Sequence, residues 1–434
     1  VQLAKEFSQA DKAMAIARTG VAQGRNGALA LWLVKVLNYI TGRVESEGGL
    51  YYSISVLNML AAGESLYPKS DAVSRLKGNK NIAGAHSLAE LPDEITTKGE
   101  GQIRALIMNS GNPVVSGPNG DKLDAALEQL DCFVAIDLFQ RESHRHAHWL
   151  IPGDHFLERN EVNPLLSALS PAPHVQMTRA AVDLPEGTQY EWEFLRDLTL
   201  AMNKPLLMGK PWLNPLVKAS IAFSKVSGNK HHALSPLFLA KMLIKSGGMF
   251  KWKDIKKAEH GLGEPEVRPK FGTLFDTLEA QNTKVNIAPD SLLTQLSSCL
   301  QAPLRDPDLT DYPLQLISRR RMNMMNSWSG ETSMQGMSEK DISGDIIEMN
   351  LADGERFSLE DGQWVMVNSK TSQVKARVKL SDNVRPSVAV MEHGWGTRTF
   401  DPKTGEGRSV GGVNRNVLVS GDDVDPLSRV PRLN

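Results

Sequence analysis

The sequence holds only two cysteines, Cys132 and Cys299. That is too few for a disulfide framework or for the ligand set of an iron–sulfur cluster. It has no apolar run approaching the roughly 18–20 residues of a membrane-spanning helix. It also lacks any surplus of charge: 49 Lys and Arg against 50 Asp and Glu leave a net charge of -1. No global field therefore draws it to nucleic acid or to an anionic membrane, and any basic site must be local. The chain opens at Val1, without methionine and inside a helix-like pattern. It reads as a piece of something longer, and its compartment stays open.

What is present is ordinary globular composition, with 41% hydrophobic and 23% charged residues over 434 residues. That length accommodates two or three domains with real cores. One stretch organises the rest. Leu314, Leu316 and Ile317 form an apolar run that feeds into Ser318, Arg319, Arg320 and Arg321, and then into Asn323, Asn326, Ser327 and Trp328. A strand here delivers many donors to one place. Guanidinium forks bind phosphate bidentately, and amides and hydroxyls suit the edge of a heterocycle. An isolated arginine triplet has a plainer reading as a solvated loop.

Residues 1 to about 45 read as two helices around a glycine-rich loop. Leu3, Phe7 and Ala10 lead into an Ala-rich helical stretch at Ala13–Ala17, then comes the loop Arg18–Gly27 carrying Gln23, Arg25 and Asn26. The next helix, Ala28–Ile40, has a buried helix's spacing and ends at Thr41-Gly42. Residues 46–100 read as a long loop with short elements. From Ile103 a strand, the turn Asn109–Pro113, an amphipathic helix Leu123–Leu130 and a second strand Phe133–Leu138 make a βαβ piece of a parallel sheet. Ligands bind such sheets at the carboxyl ends of strands, where Asn112 and Asp137 sit. A carboxylate there takes two ribose hydroxyls or the N–H groups of a guanine. A turn Asn and a capping Asp are the plainer alternative.

Four histidines at 144, 146, 148 and 155 invite a metal reading, but only His144 and His148 share a helical face and a third ligand is wanting. Residues 174–178 read as a strand, followed by a loop into a helix at Phe194–Met202 with Glu191 at its start, where an acid also simply suits the dipole. Residues 204–310 hold helices near 234–245 and 289–300, with His231-His232 and Lys251–Lys257 reading as solvated surface. From 314 onward the pattern is all-β, with alternation at Trp364–Val367 and Val374–Val378 and turns at Ala352–Gly354, Glu360–Gly362 and Asn383–Pro386.

In order along the chain, these landmarks resemble the molybdopterin oxidoreductases (the dimethyl-sulfoxide-reductase family). They are the Gln23 loop with Gly48-Gly49, strand–Gly-Asn-Pro113, strand–Asp137, Glu142-Ser143 with Leu150-Ile151-Pro152 and Glu158, the Arg-rich stretch, Glu392-His-Gly-Trp-Gly396, Gly412-Val-Asn-Arg-Asn416 and Asp425-Pro-Leu427. His148 departs from the pattern by replacing an acidic residue. The resemblance spans about residues 10–430 and rests on order, not on a single motif.

The resemblance implies an α/β, Rossmann-like αβα region over 1–205, a helical linker over 206–312, and an all-β, double-psi-barrel-like cofactor-binding domain over 313–434. It implies a Mo or W bis-molybdopterin guanine dinucleotide cofactor. The residues it places on that cofactor are Gln23, Asn112, Ile136, Asp137, Arg159, Glu191, Ser318, Arg319, Arg320, Arg321, Asn323, Asn326, Ser327, Asn416 and Asn434. It implies two-electron redox or oxygen-atom transfer on a small substrate. A protein ligand to the metal and a [4Fe–4S] cluster belong to the part of the family preceding this chain's start, so no catalytic residue and no metal ligand is named. The implied partners are that missing N-terminal portion, on the same or another polypeptide, and an electron-transfer iron–sulfur subunit. Nucleic acid is not implied. The alternatives are a non-catalytic structural relative in a redox complex, and an NAD-dependent dehydrogenase. The latter is disfavoured because no Gly-x-Gly-x-x-Gly follows the strand at Ile103.

Overall fold

The structure, a computed structural model, describes the chain outside residues 53–55, 57–70, 83, 164–166, 168–169, 171, 207–209, 228–234, 265–269, 303–310, 321–343, 410 and 433–434. Arg321, Asn323, Asn326, Ser327 and Asn434, and also His231 and His232, lie outside the described residues. The chain divides into two compact units. One comprises residues 1–14, 41–68 and 152–285, and the other 15–40, 69–151 and 286–434.

The second unit carries a mixed α/β arrangement with a parallel sheet and a mostly-β C-terminal region. Strands Ala105–Asn109 and Cys132–Asp137 pair in parallel, in register from Ala105 opposite Cys132 to Asn109 opposite Ile136. Trp149–Pro152 completes a three-stranded sheet on the other side of Cys132–Asp137. Parallel strands need a crossover, and the helix Gly120–Leu127 serves as one. Its buried Leu123, Ala126 and Leu127 pack on Met108, Phe133 and Ala135, the positions that face one side of the strands. Gly120 is required at the helix start: a Cβ there would lie 1.9 Å from the Val114 carbonyl oxygen.

The C-terminal sheet has five strands, in the order Trp364–Asn368, Gln373–Leu380, Ile346–Met349, Val388–Glu392 and Gln315–Arg319. The first pair is an antiparallel hairpin, and Gln315–Arg319 runs parallel to Val388–Glu392. Ile347, Met349, Ala376, Val378, Ala389, Met391 and Leu418 form its core. A third, small antiparallel sheet joins Arg398–Phe400 to Gly407–Ser409 on one side and to Gln140-Arg141 on the other. It ties the N-terminal α/β part of this unit to the C-terminal part.

The first unit is mainly helical, with Glu191–Ala201, Asn214–Val226 and Pro236–Gly247 as its longer helices. Val162, Val175, Ala240, Ile244 and Ile255 are among its core residues, and two short antiparallel strand pairs, 161–162 with 177–178 and 174–175 with 262–263, brace it.

Three local expectations are corrected. Ala13–Ala17 is not helical despite its alanines: the buried Asn38 amide accepts from the Ala15 N–H at 2.9 Å and donates to its carbonyl at 2.8 Å. A tertiary amide pair thus overrides propensity. Ala352–Gly354 is not a turn but part of the helix Leu351–Phe357, capped by the Asn350 side chain. Leu380 presses on Gly354, where a Cβ would come within 2.7 Å. His144 and His148 share no helix, because a one-turn 3₁₀ segment at Glu142–His144 precedes the strand beginning at Trp149.

Candidate functional site

The parallel strands end at a polar junction in the second unit. Asn112 follows the first strand, but its side chain is fully engaged. Its Oδ1 accepts from the Ser143 hydroxyl at 2.7 Å, and its Nδ2 donates to Glu142 at 3.0 Å and to the Thr397 hydroxyl at 3.2 Å. The same Glu142 carboxylate accepts from the Thr397 hydroxyl at 3.1 Å and from the Arg398 backbone N–H. Ser143 in turn accepts from the Val114 N–H at 2.9 Å. Buried polar groups persist only when paired in this way. Asn112 therefore holds the loop in place and has no side-chain atom left to offer a ligand.

Asp137, at the end of the second strand, turns its Oδ1 onto the N–H groups of Leu138 and Phe139. This is an Asx-turn. Its Oδ2 lies 3.8 Å from Nε2 of the fully buried His144, which also bonds the Gly111 carbonyl at 2.8 Å. His148 accepts the Phe133 N–H at Nδ1, 2.9 Å away. Both imidazoles are thus bound to backbone. Among the described residues no group of three His, Cys, Asp or Glu side chains has the geometry to hold a metal ion. Ile136 is buried, and its carbonyl accepts from the Ser110 N–H at 2.8 Å. Gln23 caps the short helix Thr19–Ala22, its N–H donating to the Thr19 carbonyl.

The Arg-rich strand ends against a second set. Ser318 stands opposite Met391 and Arg319 opposite Glu392. Arg319 pairs with the nearly buried Glu348 at 2.5 Å. Just beyond, His393 hydrogen-bonds the Arg319 backbone and lies in the field of Arg320 and Arg415. Burial first, and then these two guanidinium charges, push the His393 pKa below its usual 6.5. Asn416 does not stand free: its Nδ2 donates to the Val115 carbonyl at 2.8 Å, and its N–H bonds the Asn414 side chain.

Between those two asparagines lies Arg415, which sequence reasoning missed. It is 4% exposed, and its Nε and Nη1 have no hydrogen-bond partner. Burial lowers its pKa to about 10, so it remains charged at neutral pH. The signal was a cation between two asparagines in Gly412-Val-Asn-Arg-Asn416, but burial is invisible in a single sequence. Arg320, His393 and Arg415 thus place three cationic or protonatable groups near one another, with desolvated donors left over.

The depressed His393 pKa has a consequence for stability. The folded state prefers the neutral ring, so its contribution is present above pH 6.5 and is lost as pH falls through the lower folded value. Melting of the chain at about pH 7.5 and about pH 5 should show a drop for the native sequence that is smaller by a few degrees for His393→Gln. An equal drop in both would exclude the ring as its cause.

Arg159 and Glu191 belong to the other compact unit. There the buried Asp154, also missed, accepts from Arg159 Nη1 and from the Glu191 N–H, both at 2.9 Å. Asp154 outweighs the effect of burial and, with help from Glu161, raises the Arg159 pKa. A carboxylate at the start of the Glu191–Ala201 helix also answers its dipole.

Comparison with known proteins agrees with this geometry. Residues 2–200 match the family model of molybdopterin oxidoreductase, and residues 314–434 match that of the molydopterin dinucleotide binding domain. The assimilatory nitrate reductase catalytic subunit of Bacillus subtilis is 21% identical, over 99% of this chain and 57% of its own length. Tetrathionate reductase of Salmonella typhimurium is 23% identical over 92% of this chain and 46% of its own. Acetylene hydratase from Pelobacter acetylenicus superposes with a TM-score of 0.63 at 19% identity, over 100% of this chain and 61% of that one. The chain spans about half the length of the curated relatives it matches.

Proposed function

From the premise that this chain belongs to the molybdopterin oxidoreductase family, we propose that it is the portion of a Mo or W oxidoreductase that seats a bis-molybdopterin guanine dinucleotide. In this reading its last 120 or so residues form a double-psi-barrel-like dinucleotide-binding domain. The observation that carries the proposal is Arg415. A buried guanidinium with two unpartnered nitrogens, beside Arg320 and His393, is unfavourable until an anion meets it. A dinucleotide's phosphates have the charge and the acceptor oxygens to do so.

The residues present fit such a group. Arg320 and Arg415 bind the phosphates, with Arg319 held in line by Glu348. The strand ends at Ile136, Asp137 and Asn112 approach a nucleotide through backbone atoms and the free edge of Asp137, while Glu142, Ser143 and Thr397 keep that loop in shape. Gln23, Ser318 and Asn416 orient the pterin side, and Arg159 and Glu191 take a nucleotide in the other unit. Arg321, Asn323, Asn326, Ser327 and Asn434 complete the set from the sequence. When bound, the group supplies two-electron redox at its metal, and the protein's part is to position and electronically tune it. The substrate, the choice of metal, an iron–sulfur cluster and an electron-transfer subunit belong to the whole enzyme.

Elemental analysis for Mo, W and Fe tests this, together with fluorescence of the acid-released pterin. Both are run on the purified chain and on a longer polypeptide that carries it. Stoichiometric metal with guanine-dinucleotide pterin in either preparation is the expected result. A folded protein without pterin in both would overturn the enzyme reading and leave a structural relative that keeps the fold within a redox complex.

A further inference from the structure

The chain is nearly neutral overall, yet from Leu198 to Lys253 the sequence has nine lysines and no aspartate, glutamate or arginine. Most of this stretch falls between the two family matches, which end at residue 200 and resume at 314. Its two longer helices are apolar on the side that faces away from the core as well as on the side that faces it. In Asn214–Val226 the inward residues are Val217 and Ser224. Leu216, Phe223 and Val226, on the opposite face, are 64%, 74% and 88% exposed, and Trp212 in the preceding turn is 66% exposed. Leu216, Ala219, Phe223 and Val226 recur at spacings of three and four, so they form one stripe. Lys218 and Lys225 flank it, and Lys210 lies over the Trp212 ring. Pro236–Gly247 repeats the design: Ala240 and Ile244 are buried, while Leu239, Met242 and Leu243 are exposed beside Lys241 and Lys245.

We propose that this lysine-flanked apolar surface docks on an anionic lipid bilayer, with the helices lying in the interface. No described helix is long and apolar enough to cross a membrane, so the attachment is peripheral. Tryptophan, phenylalanine and leucine on one face with lysine at the flanks is the composition of an interfacial helix. Each lysine near an anionic surface adds attraction, and together they reinforce the apolar insertion. A second copy of the chain would bring the same lysines and be repelled. A protein partner is disfavoured by the residue choice, because arginine is enriched and lysine depleted at protein interfaces. This inference is independent of the cofactor.

The test is co-sedimentation of the whole chain with vesicles of phosphatidylcholine alone or with about one-third phosphatidylglycerol. Binding is expected to the anionic vesicles only, and to fall sharply between about 0.1 and about 0.5 M salt. Lys218→Glu with Lys225→Glu should weaken it roughly tenfold or more. Phe223→Ser should weaken it comparably, and Trp212→Phe should remove quenching by brominated lipid. These side chains are exposed, so unchanged circular dichroism and melting will show that the variants fold. Absence of binding, equal binding to neutral vesicles, or binding indifferent to Phe223→Ser would overturn the proposal. So would lipid-independent self-association that Phe223→Ser abolishes, which would assign the stripe to a protein partner.

Discussion

Arg415→Met is expected to raise the melting temperature of the cofactor-free chain and to lower the pterin it retains. The two effects have opposite signs because they report different states. Without an anion, the guanidinium is a desolvated charge whose Nε and Nη1 bond nothing, and burial has already dragged its pKa to about 10. Methionine fills similar volume without charge. Replacing buried charge by apolar volume stabilises proteins by about 1–4 kcal/mol, a shift of several degrees for a compact unit of this size. Relief of repulsion on His393 adds to it. With the dinucleotide bound, the same change removes charge-assisted hydrogen bonds to phosphate, each worth roughly 1.5–3 kcal/mol. A thermal melt of the pterin-free protein and a pterin assay of the variant decide the matter. If the variant melts lower than the native chain when both are pterin-free, Arg415 is a structural residue and its role in the site is lost.

Glu142→Ala is expected to destabilise the second unit by about 3 kcal/mol and to reduce pterin content in step. One carboxylate meets Asn112, the Thr397 hydroxyl and the Arg398 N–H. Thr397 is wholly buried and Asn112 nearly so. Removing the acceptor leaves two buried donors without a partner, and each such group costs about 1–3 kcal/mol. Glu142→Gln, which keeps one acceptor oxygen and the side chain's volume, should lose about half as much. Denaturant midpoints of the two variants, with amide exchange at Arg398, measure the effect. Native-like midpoints in both would show that the junction is held by something else.

Legibility in the sequence followed how local each cause was. The parallel strands were readable because Leu106 to Met108 and Phe133 to Ile136 are apolar runs bracketing an amphipathic helix. The hairpin at Trp364–Asn368 and Gln373–Leu380 was readable from alternation alone. Ala13–Ala17 failed because Asn38, more than twenty residues away, decides that backbone. The residues around Asn112 were noticed, but their mutual bonding was not, since Ser143 and Thr397 meet it only in space. Asp154 and Arg415 went unseen for the same reason: an acid before a helix and a cation between asparagines look like solvated polar residues until burial is known.

The small sheet that pairs Thr399 with Arg141 also bears on the order of events in folding. The Glu142 contact to Arg398 spans 256 positions of chain, whereas the hairpin and the βαβ piece each close within a few tens. Closing a long loop forfeits entropy that nearby contacts do not. The parallel sheet and the C-terminal sheet can therefore form separately, and the junction between them latches late. Substitutions at Glu142 should then hasten unfolding while leaving the folding rate nearly unchanged. During synthesis the strands near Asn112 emerge first and wait, with their polar loop open, until the last few dozen residues arrive to close it.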